Sequence, residues 1–105
     1  MNPRFGHKYN AKPQRIDDYH FASKLEASYY QLLKTQQKQG DVLFFIRQPR
    51  FDLPGEQYVA DFLVFYPDGS CEVVDCKGYE TPQFKRKRKL LESLYPFELK
   101  LVTRV

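Results

Sequence analysis

Apolar residues recur along the chain with two different periods, and the switches between them outline the elements. In "FASKLEASYYQLLKTQQKQ", residues 21–39, Phe21, Leu25, Tyr29, Leu32 and Gln36 keep the rhythm of one buried helical face. Gly40 and Asp41 close that helix. "VLFFIRQPRFDL", 42–53, is rich in β-formers and predicts a strand, which Pro49 bends or confines to an edge. Pro54-Gly55 marks a turn, and "EQYVADFLVFY", 56–66, is apolar at odd and even positions alike, as in a strand covered on both faces. "PDGS" predicts a tight turn into a partner strand at 71–77. Thr81 and Pro82 fit the cap and first position of a second helix, to about Tyr95, with Phe84, Leu90, Leu91, Leu94 and Tyr95 on its apolar side. After Pro96, "FELKLVTRV" predicts a last strand.

The resulting order, α-β-β-β-α-β, predicts an α/β domain with a mixed β-sheet flanked by helices, over residues 21–105. Residues 1–20 are polar and basic, and Pro3, Gly6 and Pro13 interrupt any period. They predict an extended basic N-terminal arm. With 105 residues the chain suits one core. No apolar run approaches the roughly 18 residues of a membrane span, and the N-terminus has no apolar signal region, so the expected compartment is the cytoplasm.

One hairpin breaks the pattern. In "VADFLVFYPDGSCEVVDCKGYE", 59–80, Asp61 lies inside one strand and Asp75 and Lys77 end the next. Buried charge costs several kcal/mol or more unless paired, hydrogen-bonded or bound to metal. Strand parity puts Asp75 and Lys77 on one face. Pairing outward from a turn at 67–70 sets 66 against 71, 64 against 73 and 62 against 75. Asp61 then misses Asp75 by one residue, so a bulge or an asymmetric turn is expected between them.

Adjacent carboxylates stay ionised at neutral pH when a cation sits between them, and carboxylate, carbonyl and water oxygens suit Mg2+. Lys77 beside such a metal would orient or deprotonate a water, or neutralise developing charge. Metal, activated water and lysine together make a phosphodiester hydrolysis site. Cys71 and Cys76, five apart on one strand, fall on opposite faces and are read as reduced packing thiols. The formal net charge is +4, concentrated in "KRKRK" at 85–89 and along the arm at Arg4, Lys8, Lys12 and Arg15. Beside a phosphodiester site, Lys85, Arg86, Lys87, Arg88 and Lys89 read as phosphate contacts, against the alternative of a solvated helix face. Tyr79 either stacks on a base or packs.

Asp61 with "VVDCK" at 73–77 resembles the PD-(D/E)XK nuclease superfamily. Across nearly the whole chain, "KYNAKPQ", "FASKLEASYY", "IRQPRFDL", "YVADFLVFYPDG" and "VVDCKGYETPQFKRKRKLLESLYP" resemble small phage and prophage proteins. These are related to Holliday junction resolvases and the transposon-end endonuclease. Ala60 stands where the superfamily's name has Pro. The resemblance implies a restriction-endonuclease-like core and a Mg2+-dependent endonuclease, with Mn2+ substituting. It implies Asp61, Asp75 and the Cys76 carbonyl as metal ligands and Lys77 as the catalytic lysine. Glu26 would bind metal directly or through water, and Gln48 would lie near the site. Structurally, Glu26 has a second reading, as the capping-box partner of Ser23. The expected partner is DNA, recognised by structure more than sequence; junction resolution in DNA recombination would further require a homodimer. Alternatives are a nuclease on flapped or replicating DNA, a non-catalytic DNA-binding protein with the same fold, and an interaction protein with a basic face.

Overall fold

The computed structural model describes residues 12–105. In chain order they form β1 (Gln14–Ile16), β2 (Tyr19–Phe21), α1 (Lys24–Gln39), β3 (Phe44–Arg47), β4 (Arg50–Leu53), β5 (Glu56–Val59), β6 (Phe62–Phe65), β7 (Cys71–Cys76), α2 (Pro82–Leu94) and β8 (Leu99–Val102). The fold is α/β. Its mixed four-stranded sheet runs β3-β6-β7-β8, antiparallel except for the β7–β8 pair. Parallel neighbours need a crossover, and α2 supplies it.

Alternation along β7 assigns the two faces. Val74 and Cys76 join Phe62, Val64 and Val102 against Phe21, Ala27, Tyr29, Tyr30 and Leu33 from β2 and α1. Val73 joins Leu99 against Phe84 and Leu91 of α2, with Phe51, Leu53, Tyr58 and Ala60 from the β4–β5 hairpin. β6 and β7 are therefore interior strands covered on both sides.

Both helices begin where capping chemistry puts them. The Ser23 hydroxyl accepts the Glu26 N–H at 3.1 Å, and the Thr81 hydroxyl accepts the Phe84 N–H at 3.0 Å ahead of Pro82. Gly40 ends α1 at φ 87, a left-handed conformation that glycine adopts without a Cβ penalty. The buried face of α1 differs from the expected one. Glu26, Ala27, Tyr29, Tyr30 and Leu33 are buried, while Leu32 is exposed and Leu25 only half-buried. Period alone cannot separate neighbouring stripes of an apolar helix, and burial of Glu26 rotates the inward face toward the site.

Three further differences bear on function. Each of the two long strands expected at 42–53 and 56–66 is divided in two. The same register runs across the division, Arg47 opposite Phe62 and Arg50 opposite Val59, so the segments make one long hairpin with a bend. The bend falls at Gln48 and Pro49, opposite Ala60 and Asp61. Pro49 has no N–H to donate, Gln48 adopts φ 52, and Gln48 N–H to Asp61 O (2.9 Å) and Ala60 N–H to Pro49 O (3.1 Å) hold the kink. Residues 14–20 of the expected basic arm, together with Phe21, form the β1–β2 hairpin. It is tied to α1 by the Tyr30 hydroxyl donating to Asp17 at 2.8 Å and by packing of Phe21 on Tyr30. Arg4 and Lys8 lie outside the described residues. Finally, Leu94 of α2 is about half exposed, so that helix buries a shorter stripe than its sequence suggests.

Candidate active site

The turn between β6 and β7 aligns the two aspartates. It spans five residues rather than four. Tyr66 N–H bonds Ser70 O at 2.9 Å, Gly69 N–H bonds Tyr66 O at 3.0 Å, and Gly69 takes φ 93. This asymmetric turn pairs Phe65 with Cys71 and Phe62 with Val74. One step further along that register, Asp61 faces Asp75, and the expected one-residue mismatch is removed.

At the bend, carboxylates take over from the backbone ladder. The Asp61 N–H donates to Asp75 Oδ1 at 2.9 Å and to Val74 O at 3.1 Å. The Cys76 N–H donates to Asp61 Oδ2 at 2.7 Å. Each aspartate is thereby fixed through one oxygen and keeps the other for different work. Asp75 is 1% exposed, and its Oδ2 is buried with no hydrogen-bond partner. Such an orphaned charged oxygen costs at least about 1–3 kcal/mol, which a bound cation would offset.

Glu26 approaches from α1 on the other face. Its carboxylate does not bond the Ser23 N–H; only the serine half of the capping box is made, and the Glu26 side chain is buried. Burial, and then the charge of Asp61, pushes its carboxyl up to about 7. Burial likewise pushes Asp75 up to about 6, opposed first by Lys77. Asp61 is raised by burial, against the pull of the Cys76 N–H, Lys77 and Arg47. All three acids are thus held above the ordinary carboxylate range, chiefly by burial and against the pull of Lys77. Among the described residues no three His, Cys, Asp or Glu side chains close into a ready-made cage. The fixed unit is the Asp61–Asp75 pair, with Glu26 facing it at electrostatic range.

Lys77 shares the α2 face with Asp75, and its ammonium lies 5.0 Å from the centre of the Phe84 ring. Its N–H bonds Val102 O at 3.0 Å, which fixes the backbone just past β7. Cys76 is buried on the α1 face and Cys71 is half-buried, both as free thiols, so the opposite-face reading holds. Gln48 reaches the site through its backbone bond to Asp61. Tyr79 is exposed and lines the clefts beside Lys77.

The basic block is divided in its roles. Arg86 grips Glu56 at 2.8 and 3.1 Å, with Lys87 3.7 Å from the same carboxylate. Arg88 donates to Leu99 O at 2.8 Å and pairs with Glu80 and Glu92. Lys85 and Lys89 are exposed and form no ion pair.

Arg47 was missed from sequence. Its guanidinium lies 4.5 and 4.6 Å from the ring centres of Tyr19 and Phe21, its NH2 bonds His20 O, and its charge acts on Glu26 and Asp61. The available signal was an arginine ending an otherwise apolar strand, "LFFIR", directly before the bend.

With this geometry in view, the chain falls into a class of small α/β proteins carrying a buried carboxylate pair and a lysine at a sheet end. It belongs to the family described as "Protein of unknown function (DUF1064)", whose sequence profile matches residues 6–105. Comparison with curated proteins finds no match. Among the described residues, no helix is long and apolar enough to cross a membrane.

Proposed function

We propose that the chain is a metal-dependent DNA endonuclease of the PD-(D/E)XK type. The single observation that carries this reading is the locked Asp61–Asp75 pair, with its orphaned Asp75 Oδ2, next to Lys77. The donor set fits Mg2+, with Mn2+ as a substitute: two carboxylates, the Cys76 carbonyl, and Glu26 directly or through water would hold it, leaving several water ligands in place. When bound, such an ion supplies Lewis acidity toward a phosphoryl oxygen and a more acidic water.

The chain's own residues do the remaining work. Asp61 and Asp75 hold fixed negative charge in a mostly buried setting, where it acts more strongly than in water. Lys77 hydrogen-bonds or deprotonates the attacking water and balances charge gathering on the phosphoryl oxygens. Arg47 limits the repulsion between Glu26 and Asp61. Lys85 and Lys89 are the members of the basic block best able to contact phosphates, because Arg86, Lys87 and Arg88 are engaged internally. No base-reading element is present among the described residues, which favours recognition of DNA structure over sequence. Resolution of a four-way junction is the most specific version. It requires two symmetric cuts and so a homodimer.

The test is cleavage of branched and linear DNA with Mg2+, with Mn2+ and with chelator, alongside Lys77→Ala. Metal-dependent cleavage lost in the variant is the expected result. Chelator-resistant cleavage, or full activity in the variant, overturns the mechanism. Symmetric paired nicks identify junction resolution, and binding without cleavage under every metal identifies a non-catalytic DNA-binding protein.

A further inference from the structure

Two clefts open on either side of the loop that joins β7 to α2. One lies toward α1. It measures about 570 Å3, and Lys24, Ser28, Thr103 and Arg104 are among its walls. The other lies toward β5. It measures about 410 Å3, and Gln57, Gln83 and Lys87 are among its walls. Both are within the roughly 300–1,000 Å3 of ligand-sized clefts. No Asp or Glu side chain lines either one. Lys24 and Arg104 are exposed and form no ion pair among the described residues. Lys87, by contrast, is shared with Glu56 at 3.7 Å. The α1-side cleft is therefore the cationic one, and the β5-side cleft offers mainly side-chain amides.

The two clefts share three wall residues, Lys77, Tyr79 and Thr81, which make the ridge between them. Tyr79 is 53% exposed on that ridge. It lies two residues beyond Lys77, whose charge acts on Asp61 and Asp75. What an exposed ring offers a nucleic acid is its face. Inside an unbroken duplex the bases cover one another's faces and present only their edges. A base face is open to an aromatic side chain where stacking is broken, at a junction, a flap or a strand end.

We infer that Tyr79 selects branched DNA: its ring stacks on the base exposed where two strands part, and those strands run into the two clefts, one past Lys24 and Arg104 and the other past Gln57 and Gln83. The inference rests on the nuclease reading above, because Lys77 ties the ridge to the carboxylate pair and so puts the cut beside the branch. An unbroken duplex has no open base face for the ring and no parted strand for the second cleft, so it gains nothing from Tyr79.

The test is affinity in chelator, read by fluorescence anisotropy, for a four-way junction and for a linear duplex of the same arm sequence. Tyr79→Ala is expected to bind the junction about tenfold more weakly and the duplex as the wild type does. Tyr79→Phe keeps the ring and is expected to bind both as the wild type does. Lys24→Ala combined with Arg104→Ala should flatten the fall of log affinity for the junction with log salt by about one to two. An unchanged salt slope overturns the strand path through the α1-side cleft. No loss in Tyr79→Ala, equal losses for junction and duplex, or a Tyr79→Phe as weak as Tyr79→Ala overturns the inference even where the wild type cuts DNA. A junction preference that depends on the Tyr79 ring, in a protein that cleaves no DNA with any metal, supports the inference and overturns the nuclease reading instead.

Discussion

The buried acids give the folded protein an unusual dependence on pH. Glu26 is displaced from 4.5 to about 7 and Asp75 from 3.8 to about 6, in both cases chiefly by burial. An acid whose folded value exceeds its unfolded one binds protons more tightly in the native state. Its contribution to stability is fully present below about pH 4 and is lost as the pH rises through 6 to 7. Each displacement corresponds to about 3 kcal/mol once the group is ionised. The two acids share one site, so their effects overlap and the total lies below the sum. Urea unfolding in chelator, followed from pH 4.5 to 8, should therefore show stability falling by roughly 3 kcal/mol or more, a drop in midpoint on the order of 2 M. Mg2+ added at pH 8 should restore much of the loss by binding only the folded state, and should do little at pH 5, where protons hold the same oxygens. Asp75→Asn should remove about half of the slope. Stability that is flat or rises between pH 5 and 8 in chelator, or an Asp75→Asn profile parallel to the wild type, would refute the reasoning.

Lys77→Ala should lower the rate constant for cleavage by about 10²–10⁴ with a far smaller change in KM, measured under single-turnover conditions. Ser23→Ala removes the hydroxyl that caps α1 and should cost about 1 kcal/mol. That is a fall of roughly 4–8 °C in melting temperature, and cleavage at 25 °C should persist. Of the two thiols, half-buried Cys71 should react with a thiol reagent in the native protein. Cys76 is buried, with its thiol pushed up by burial and by neighbouring carboxylates, and should react only on unfolding.

Much of this protein was legible in the one-dimensional pattern because local physics set it. Ser23 and Thr81 start helices by offering an oxygen to an amide three residues on, and Gly40 ends one by entering the left-handed region; neither needs distant residues. The apolar run that holds β6 identified an interior strand, since only a strand covered on both faces can bury side chains of both parities, whereas the interior place of β7 came from its pairing with β8 as well. Asp61, Asp75 and Lys77 stood out because charge inside such strands has no local explanation. What the tertiary structure alone decided depends on pairing between segments far apart in sequence. The five-residue turn set the register that brings Asp61 opposite Asp75. The bend at Gln48–Pro49 against Ala60–Asp61 placed Asp61 where its carboxylate, in place of a backbone carbonyl, accepts the Cys76 N–H. Burial of Glu26, the stacking of Arg47 on Tyr19 and Phe21, and the internal ion pairs of the basic block followed from which faces met. Spacing fixes which residues can share a face, but the desolvation and neighbouring charge that make them chemically unusual exist only once the layers are packed.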